Sequence, residues 1–196
     1  MKKIRVSMVG TSPLIEHSPK CVNPLHPIAK ELKRYTSKKK KTEEDLIKIS
    51  DLEWQAGVYW DDNLGLVIPN QCIAATFMAG AKMNKMGSAL QKYVFVVDSQ
   101  IPLDIGEVQN FEKLNTDLRY RDTRSVCVQR QRVIRTRPRF DTWRLEFDML
   151  YDENRIDLDA IALAIENAGN YIGMCEMRTM GYGRFAASIT ELGDVA

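Results

Sequence analysis

Apolar and polar positions alternate most clearly in two segments of the chain. Over positions 3–9 the alternation predicts a half-buried strand whose apolar face carries Ile4, Val6 and Met8. Over 142–151 it predicts a second such strand, with an apolar face of Trp143, Leu145, Phe147, Met149 and Tyr151. Other extended segments predict strands at 64–68, 93–97, 125–139 and 185–189. A turn from Pro138 to Asp141 is expected to join two of them.

A three- and four-residue spacing of apolar positions predicts helices elsewhere. Pro27 opens a short helix through Tyr35, and Thr42 caps a second one that carries Leu46, Ile49 and Leu52. With the lysine run between them, these two helices are interpreted as one helical insertion at about 24–62. Further helices are predicted from Gln71 to Met83 and from Asp157 to Ala168. The segment from Pro102 to Asp117 lacks periodicity and is expected to be irregular.

Without the insertion, the predicted order of elements is β-α-β-β-α-β. That order predicts an α+β fold of the ferredoxin-like kind, with a four-stranded antiparallel sheet and two helices on one face. The helical insertion follows the first strand, and residues 1–196 are expected to form a single domain.

Composition narrows the class of protein. The chain is 44% hydrophobic and 28% charged, which is ordinary for a folded globular protein. Its four cysteines are spread singly without a CxxC pair, and there are two histidines, so neither a zinc site nor another metal or cofactor is expected. No apolar run reaches the length of a membrane helix and no signal peptide is recognised. A cytoplasmic protein with reduced cysteines is therefore expected.

Charge is concentrated in one segment, although the net charge of the chain is only +2. Nine arginines and two acidic residues lie between Arg119 and Arg144. Guanidinium groups suit bidentate contact with phosphate, so the segment is predicted to meet phosphate. The candidates on the predicted strand are Arg130, Arg132, Arg135, Arg137 and Arg139. The first two share one strand face and the other three the opposite face, unless a bulge at Val133-Ile134 aligns all five.

A solvated hairpin is the alternative interpretation of these arginines, with ion pairs to Glu146 and Asp148 on the neighbouring strand.

A second candidate segment lies after the last helix. Its glycines allow close approach of a ligand to the backbone, and its charged and aromatic residues supply charge and stacking surfaces. The candidates there are Arg178, Gly181, Tyr182, Gly183, Arg184 and Phe185. Lys82 and Lys85 are candidates to extend the same surface.

The element order, the insertion after the first strand and the segment GMCEMRTMGYGRF together resemble the repeat-associated mysterious protein (RAMP) superfamily. Within it, the chain is most similar to backbone subunits of CRISPR effector complexes and their phage-encoded relatives. The segments TSPLIEHSP and RTRPRF add to the resemblance. The resemblance implies a ferredoxin-like core that binds single-stranded nucleic acid along its backbone and polymerises head to tail. The nucleic-acid-binding role that the resemblance implies is carried over to Gly181, Gly183 and Arg184, and more loosely to Arg178.

Three functional hypotheses follow, and whether the protein is an enzyme stays open. The first is a non-enzymatic, sequence-independent binder of single-stranded RNA or DNA that forms a homo-oligomer or ribonucleoprotein assembly. The second is a phage-encoded interaction protein that inhibits a host defence complex or captures a nucleotide signal. The third is a metal-independent RNA endonuclease in which His17 or His26 serves as the general base or acid.

Overall fold

The computed structural model describes residues 1–107, 109–128 and 130–194. Its strands are β1 (Lys2–Gly10), β2 (Leu14–Ile15), β3 (Trp60–Asp61), β4 (Gly65–Pro69), β5 (Val94–Val96), β6 (Gln100–Pro102), β7 (Arg121–Val128), β8 (Gln131–Phe140), β9 (Arg144–Tyr151) and β10 (Phe185–Asp194). Its α-helices are α1 (Pro27–Thr36), α2 (Glu43–Gly57), α3 (Asn70–Lys82), α4 (Gly87–Tyr93), α5 (Phe111–Thr116) and α6 (Leu158–Asn167). A π-helical turn, Ala168–Ile172, extends α6.

The fold is α+β with antiparallel sheets. The largest sheet has four strands in the order β10-β1-β9-β5, and each neighbouring pair is antiparallel. A second sheet has the order β2-β8-β7 and a third the order β3-β4-β6. The predicted helices at 27–35, 43–56, 71–83 and 157–168 are confirmed as α1, α2, α3 and α6.

The core lies between the four-stranded sheet and the pair α3 and α6. Ile4, Val6 and Met8 of β1 are buried on the helix side of the sheet, as the alternation predicts. Phe77 of α3 packs between Phe147 and Phe185, with ring centroids 6.2 and 6.3 Å apart. Burial of these large side chains stabilises the packing of helices on sheet.

Helix α2 covers one face of the second sheet. Its Ser50 hydroxyl hydrogen bonds to the Thr136 hydroxyl of β8 at 2.9 Å, and the Trp54 Nε1 donates to the Tyr120 carbonyl at 2.8 Å. A Thr42 capping box starts the helix, with Asp45 as the reciprocal acceptor. The predicted insertion is therefore helical, but α2 packs on the arginine-rich hairpin and is part of its support.

The prediction of one strand over 125–139 is wrong. The chain forms a hairpin, in which β7 and β8 pair in continuous register from Arg121 opposite Pro138 to Val128 opposite Gln131. Arg130 lies in the hairpin turn with φ of 66°, and Gln129 lies outside the described residues. The turn escaped sequence analysis because Gln-Arg lacks the Asn and Gly residues typical of short hairpin turns.

The alternative left open by the sequence, a bulge at Val133-Ile134 that would align all five arginines, does not occur, because the register of β7 and β8 does not shift there. Arg132 therefore stays on the opposite strand face from Arg135, Arg137 and Arg139. Nor does a turn at Pro138 to Asp141 join paired strands. β8 continues to Phe140, and the chain then passes to β9 in a different sheet.

The segment that was expected to be irregular contains a short helix. The segment from Pro102 to Asp117 contains α5, which is capped by Asn110 through a hydrogen bond from the Lys113 amide. Its helix is a single short stretch without visible periodicity, so the sequence did not indicate it. Across the described residues, no helix combines the length and apolarity needed to cross a bilayer.

The contact between α3 and α6 supplies a test of this fold. A Cβ added at Gly80 would lie 2.2 Å from the Ala164 carbonyl oxygen and 2.7 Å from the Ala168 nitrogen. We expect Gly80→Ala to lower the free energy of unfolding by about 1–3 kcal/mol through overpacking. Urea unfolding measures the change. Helix propensity alone would act in the opposite direction, by about 1 kcal/mol.

Ala75→Gly is the matched control, because Ala75 is exposed on the same helix. Its free energy of unfolding should be lower than that of the wild type by about 1 kcal/mol, because glycine has a lower helix propensity than alanine. A Gly80→Ala variant more stable than the wild type would contradict the close approach of α3 and α6.

Candidate functional site

Four arginines share the face of the second sheet that points away from α2. Within the hairpin Arg124 is opposite Arg135, and Asp122 is opposite Arg137, so these side chains lie on one face together with Arg139. The other face of β8 carries the buried residues Thr136, Pro138 and Phe140. We call Arg124, Arg135, Arg137 and Arg139 the arginine face. Arg124 belongs to it although it was not among the predicted site residues.

Acidic residues offset much of this charge, and one of them, Glu53, comes from a distant part of the chain. The Arg135 Nη1 donates to Glu53 at 2.7 Å, the Arg139 Nε donates to Asp141 at 2.7 Å, and Arg124 pairs with Asp122. Of these acids only Asp122 and Asp141 belong to the arginine-rich segment itself. The local excess of positive charge is thus smaller in the fold than in the sequence.

The alternative pairing with Glu146 and Asp148 is wrong. Both residues lie on β9 in the four-stranded sheet, where Asp148 accepts from the Arg5 Nε at 2.8 Å and Glu146 accepts from Ser7. The pKa of Asp148 is lowered to about 2, chiefly by the hydrogen bond from Arg5. The hairpin and β9 follow each other in sequence but belong to different sheets.

Glu53 fixes the edge of β8. Its Oε2 accepts from the Thr136 amide at 2.8 Å, while its Oε1 accepts from Arg135. Burial raises the pKa of Glu53, and these hydrogen bonds oppose the rise. A carboxylate from α2 therefore satisfies a strand amide beyond the end of β2 and holds Arg135 in place.

Arg137 differs from the other members of the arginine face. Its side chain is only 14% exposed, and its Nη2 lies 3.7 Å from a Glu176 carboxylate oxygen, beyond ordinary hydrogen-bond distance. Its Nε and Nη1 are buried, with no hydrogen-bond acceptor among the described residues. A desolvated guanidinium with two unused donors favours an anion that brings oxygen acceptors.

The glycine-rich segment lies beside this face. The Arg124 Nη2 donates to the Tyr182 hydroxyl at 2.8 Å, and the guanidinium lies 5.0 Å from the centre of the Tyr182 ring. Gly183 has φ of 69°, and a Cβ there would lie 2.1 Å from the Met174 carbonyl oxygen. Only glycine fits this close approach, which brings Tyr182 to the arginine face.

The predicted site residues therefore separate into groups. Arg135, Arg137, Arg139 and Tyr182 come together, as the sequence suggested. Exposed Arg178 lies close enough to act electrostatically on Cys72 and Cys175, and Gly181 forms a left-handed turn. The Arg184 Nη1 is buried without a partner among the described residues.

Five predicted residues stand apart from the arginine face. Phe185 is only 2% exposed and packs in the core against Trp143, so its predicted stacking role is wrong. Arg130 lies in the hairpin turn and Arg132 on the other strand face. Lys82 and Lys85 lie at and just beyond the end of α3. Helix α3 packs chiefly on α4, α6 and the π-helical turn that follows α6, away from the hairpin.

The two histidines have different surroundings. His17 follows β2, and Ile15 and Glu16 are bonded to β8 so that His17 comes next to Arg137. Burial lowers its pKa, and the charges of Arg137 and Arg135 lower it further against the effect of Glu176. His26 serves as the amino-terminal cap of α1, where its Nδ1 accepts from the Ile28 amide at 3.3 Å.

A second cluster lies on the inner side of β2 and was not predicted. Glu16 is fully buried, its Oε2 accepts from the Tyr59 amide at 2.9 Å, and its Oε1 has no partner in the described parts of the chain. Burial raises the pKa of Glu16 well above its usual range. Sequence analysis missed it because nothing in Leu-Ile-Glu-His indicates that the carboxyl group points inward.

Cys72 and Cys175 lie in the same cluster. The Cys72 Sγ is 3.9 Å from the Tyr59 hydroxyl oxygen. A hydrogen bond from the Cys175 thiol, with a smaller one from Tyr59, lowers the pKa of Cys72 to about 6. The same bond, together with burial, raises the pKa of Cys175. Within the residues described, no group of histidine, cysteine and acidic side chains is arranged to hold a metal ion.

A separate groove of about 900 Å³ lies between α2 and the hairpin, on the other side of the second sheet. Leu46, Ile47, Leu118 and Ile134 line it and are all more than half exposed. Arg135 and its partner Glu53 also line it, so the groove adjoins the arginine face at that point.

Comparison with known proteins supplies no family for this chain. No protein-family model matches it, and no curated protein is significantly similar to it. The assignment of function therefore depends on the geometry described above.

The buried acid Glu16 gives a pH-dependent test of this geometry. Its folded-state pKa is raised above the ordinary value of 4.5, so the folded protein holds this proton more tightly than the unfolded chain. Stability should therefore fall as pH rises from 4.5 towards the raised pKa. We expect Glu16→Gln to abolish this fall in stability. At pH values above the raised pKa, the free energy of unfolding of the variant should exceed that of the wild type by about 1–3 kcal/mol.

Urea unfolding at several pH values measures the effect. Glu166→Gln is the matched control, since Glu166 is exposed on α6, and its unfolding should follow the wild-type pH dependence. A constant difference between Glu16→Gln and wild type across the pH range would contradict the burial of a neutral Glu16.

Proposed function

We propose that this protein binds single-stranded nucleic acid at the arginine face and does so without catalysis. The observation that carries the proposal is the Arg137 guanidinium, whose Nε and Nη1 are buried without an acceptor among the described residues. These two donors lie on different edges of the guanidinium group, so each can take a separate anionic oxygen. A phosphodiester would supply the missing acceptors and the negative charge together.

The neighbouring side chains fit the same ligand. Arg124, Arg135 and Arg139 each retain some exposure while held by carboxylates, so they present guanidinium groups in fixed positions. Tyr182 adds an aromatic ring already oriented by Arg124. Phosphate contacts with a stacking platform are typical of proteins that bind single strands with little sequence preference.

The proposed fold is ferredoxin-like, of the RAMP kind. In support, the chain order β1, α3, β5, β9, α6, β10 gives the spatial order β10-β1-β9-β5 with α3 and α6 packed against each other. The glycine-rich segment lies between α6 and β10, and α1 and α2 lie between β1 and α3. These positions agree with those on which the resemblance depends.

Assembly of several copies along one strand is part of the proposal. From Arg135 to Arg139 is four residue steps along β8, or about 13 Å, which is enough for only a few nucleotides. A longer strand therefore extends beyond one arginine face and offers binding positions to further copies.

Substitution of Arg137 tests the proposal. Loss of a charge-assisted contact of about 1.5–3 kcal/mol should weaken binding of Arg137→Gln to a labelled single-stranded oligonucleotide by roughly ten- to a hundredfold. The slope of log affinity against log salt concentration should fall by about one. Fluorescence anisotropy over a salt series measures both quantities.

Arg155→Gln is the matched control, because Arg155 is an exposed arginine in the loop after β9, near the opposite end of that strand from Arg144. It should bind as the wild type does. Equal affinities for Arg137→Gln, Arg155→Gln and wild type would contradict the proposal. Wild-type affinity independent of salt would contradict it as well, and would favour docking of a protein partner.

The endonuclease alternative is separated by a product assay. RNA incubated with the protein in the presence of a chelator should stay intact. Cleavage that His17→Ala abolishes would show catalysis and overturn the non-enzymatic proposal.

Sizing of the complex on a column with oligonucleotides of increasing length tests assembly.

A further inference from the structure

Strand β10 (Phe185–Asp194) forms one edge of the four-stranded sheet. Among the residues that the structure describes, β1 is the only strand that pairs with it. The opposite edge of the sheet is β5, which has three residues, whereas β10 has ten. Natural proteins keep exposed edge strands short, charge them or cover them, because their free backbone groups pair readily with another strand. A long edge such as β10 is therefore a candidate interaction surface.

The direction of the backbone groups alternates along β10. The Arg184 carbonyl accepts from the Thr11 amide at 2.8 Å, so the backbone groups of position 184 point towards β1. In an antiparallel ladder every second residue does so, and the register is continuous as far as position 191. The N–H and C=O groups of Ala187, Ile189 and Glu191 therefore point outwards. Each of these three residues offers one donor and one acceptor to another chain.

Both ends of this outward-facing stretch are marked by the structure. Towards its start, the π-helical turn lies against the Phe185 carbonyl, since a Cβ added at Gly169 would be 2.2 Å from that oxygen. Towards its end, the register with β1 shifts at Leu192, which faces no residue of β1. The segment 187–191 is therefore the part of the edge that can pair with another strand.

We propose that β10 pairs antiparallel with β10 of a second copy of this chain, about a two-fold axis at Ile189. Ile189 is the middle one of the three outward-facing residues, so this register uses all of them on both copies. The two Ile189 residues exchange hydrogen bonds, and Ala187 of each copy does so with Glu191 of the other. On the opposite face Ser188 faces Thr190. No two charged side chains stand directly opposite each other, so the edge is self-complementary.

An apolar groove beside β10 supplies a place for a side chain of the second copy. The groove has a volume of about 430 Å³, and its lining includes Ile165 of α6 together with Ala187 and Ile189. Ile189 lies on the helix side of the sheet, because it faces the buried Val6 of β1. In the proposed register Ile189 of the second copy is directly opposite on that same side, so it enters the groove. Its burial adds apolar stabilisation to the backbone pairing.

The pairing joins two four-stranded sheets into one continuous sheet, whose remaining edges are the short β5 strands. A contact along five residues of each chain is small compared with stable interfaces, which bury roughly 1,200–2,000 Å². We therefore expect a dimer that dissociates in the micromolar range. The proposal does not rest on nucleic-acid binding, because the arginine face belongs to a different sheet.

A charge introduced at Ala187 tests both the dimer and its register. Ala187 is exposed, so Ala187→Glu should leave the fold intact. In the dimer each new carboxylate at position 187 would face Glu191 of the other copy, which creates two pairs of like charge. The dimer dissociation constant should rise roughly two- to thirtyfold at low salt. Sedimentation of the full chain, freed of nucleic acid, over a concentration series measures it.

Matched variants define the register and the independence from the arginine face. In the double variant Ala187→Glu/Glu191→Lys both pairs become oppositely charged, so the dissociation constant should return to the wild-type value or fall below it. Ala186→Glu adds the same charge at an exposed position on the other face of β10, where it does not face Glu191. That variant, and Arg137→Gln, should dimerise as the wild type does.

Any of three results would overturn the proposal. A wild-type chain that stays monomeric well above micromolar concentration would do so, and would favour an extended segment of another protein at this edge. Equal weakening of the dimer by Ala187→Glu and Ala186→Glu would show that Ala187 does not face Glu191. Failure of Glu191→Lys to restore the dimer of Ala187→Glu would contradict the register. All three are measured without nucleic acid, so a failure of the proposed function would not alter them.

Discussion

The short strand β2 connects the parts of the molecule that carry chemistry. On one side its residues bond to β8, with the Glu16 amide donating to the Pro138 carbonyl at 3.0 Å. On the other side Ile15 and Pro13 accept from the amides of Glu176 and Gly183, at 3.0 and 2.8 Å. A segment of a few residues thus joins the arginine hairpin to the glycine-rich loop. It thereby helps to hold Tyr182 beside the arginines of the hairpin.

The two sides of β2 hold different chemistry because neighbouring residues of an extended chain point to opposite faces. Glu16 points inward and is fully buried, whereas His17 comes beside Arg137. A carboxyl group without solvent stays neutral, and guanidinium groups near water stay charged. Glu16 is bonded to the hairpin through its amide, but its neutral side chain does not offset the positive charge of the arginines. The charges that do so come from Glu53, Asp122, Asp141 and Glu176.

The charge of Arg137 is less fully compensated than that of Arg135. Arg135 meets Glu53 where β2 has ended and the edge of β8 is open to α2. Arg137 lies two residues further along β8, next to the position where the Glu16 amide bonds to the Pro138 carbonyl. Its acidic neighbour Glu176 approaches only to 3.7 Å. Neighbouring arginines of one strand face therefore differ in how well their charge is paired, because α2 reaches the edge of β8 at one of them.

Local pattern was sufficient to predict the longer helices and the strands that alternate clearly. Alternation at Ile4, Val6 and Met8 and the Thr42 cap each depend on near neighbours in sequence, and both are confirmed. Neither Asn nor Gly, the residues that mark hairpin turns, occurs in the segment 125–139, so the sequence did not divide it. The distant partners of the arginines, Glu53 and Glu176, depend on which elements pack together over long separations. No local rule carries that information.

Glu176 links the loop before β10 to the arginine face. It lies between two residues in left-handed conformation, with its amide bonded to Ile15 and its carboxylate directed at Arg137. Left-handed backbone is unfavourable for residues with a Cβ and persists only where the surroundings impose it. The bond to Ile15 supplies such a restraint. The position of the carboxylate that accompanies Arg137 therefore depends on the contact between β2 and this loop.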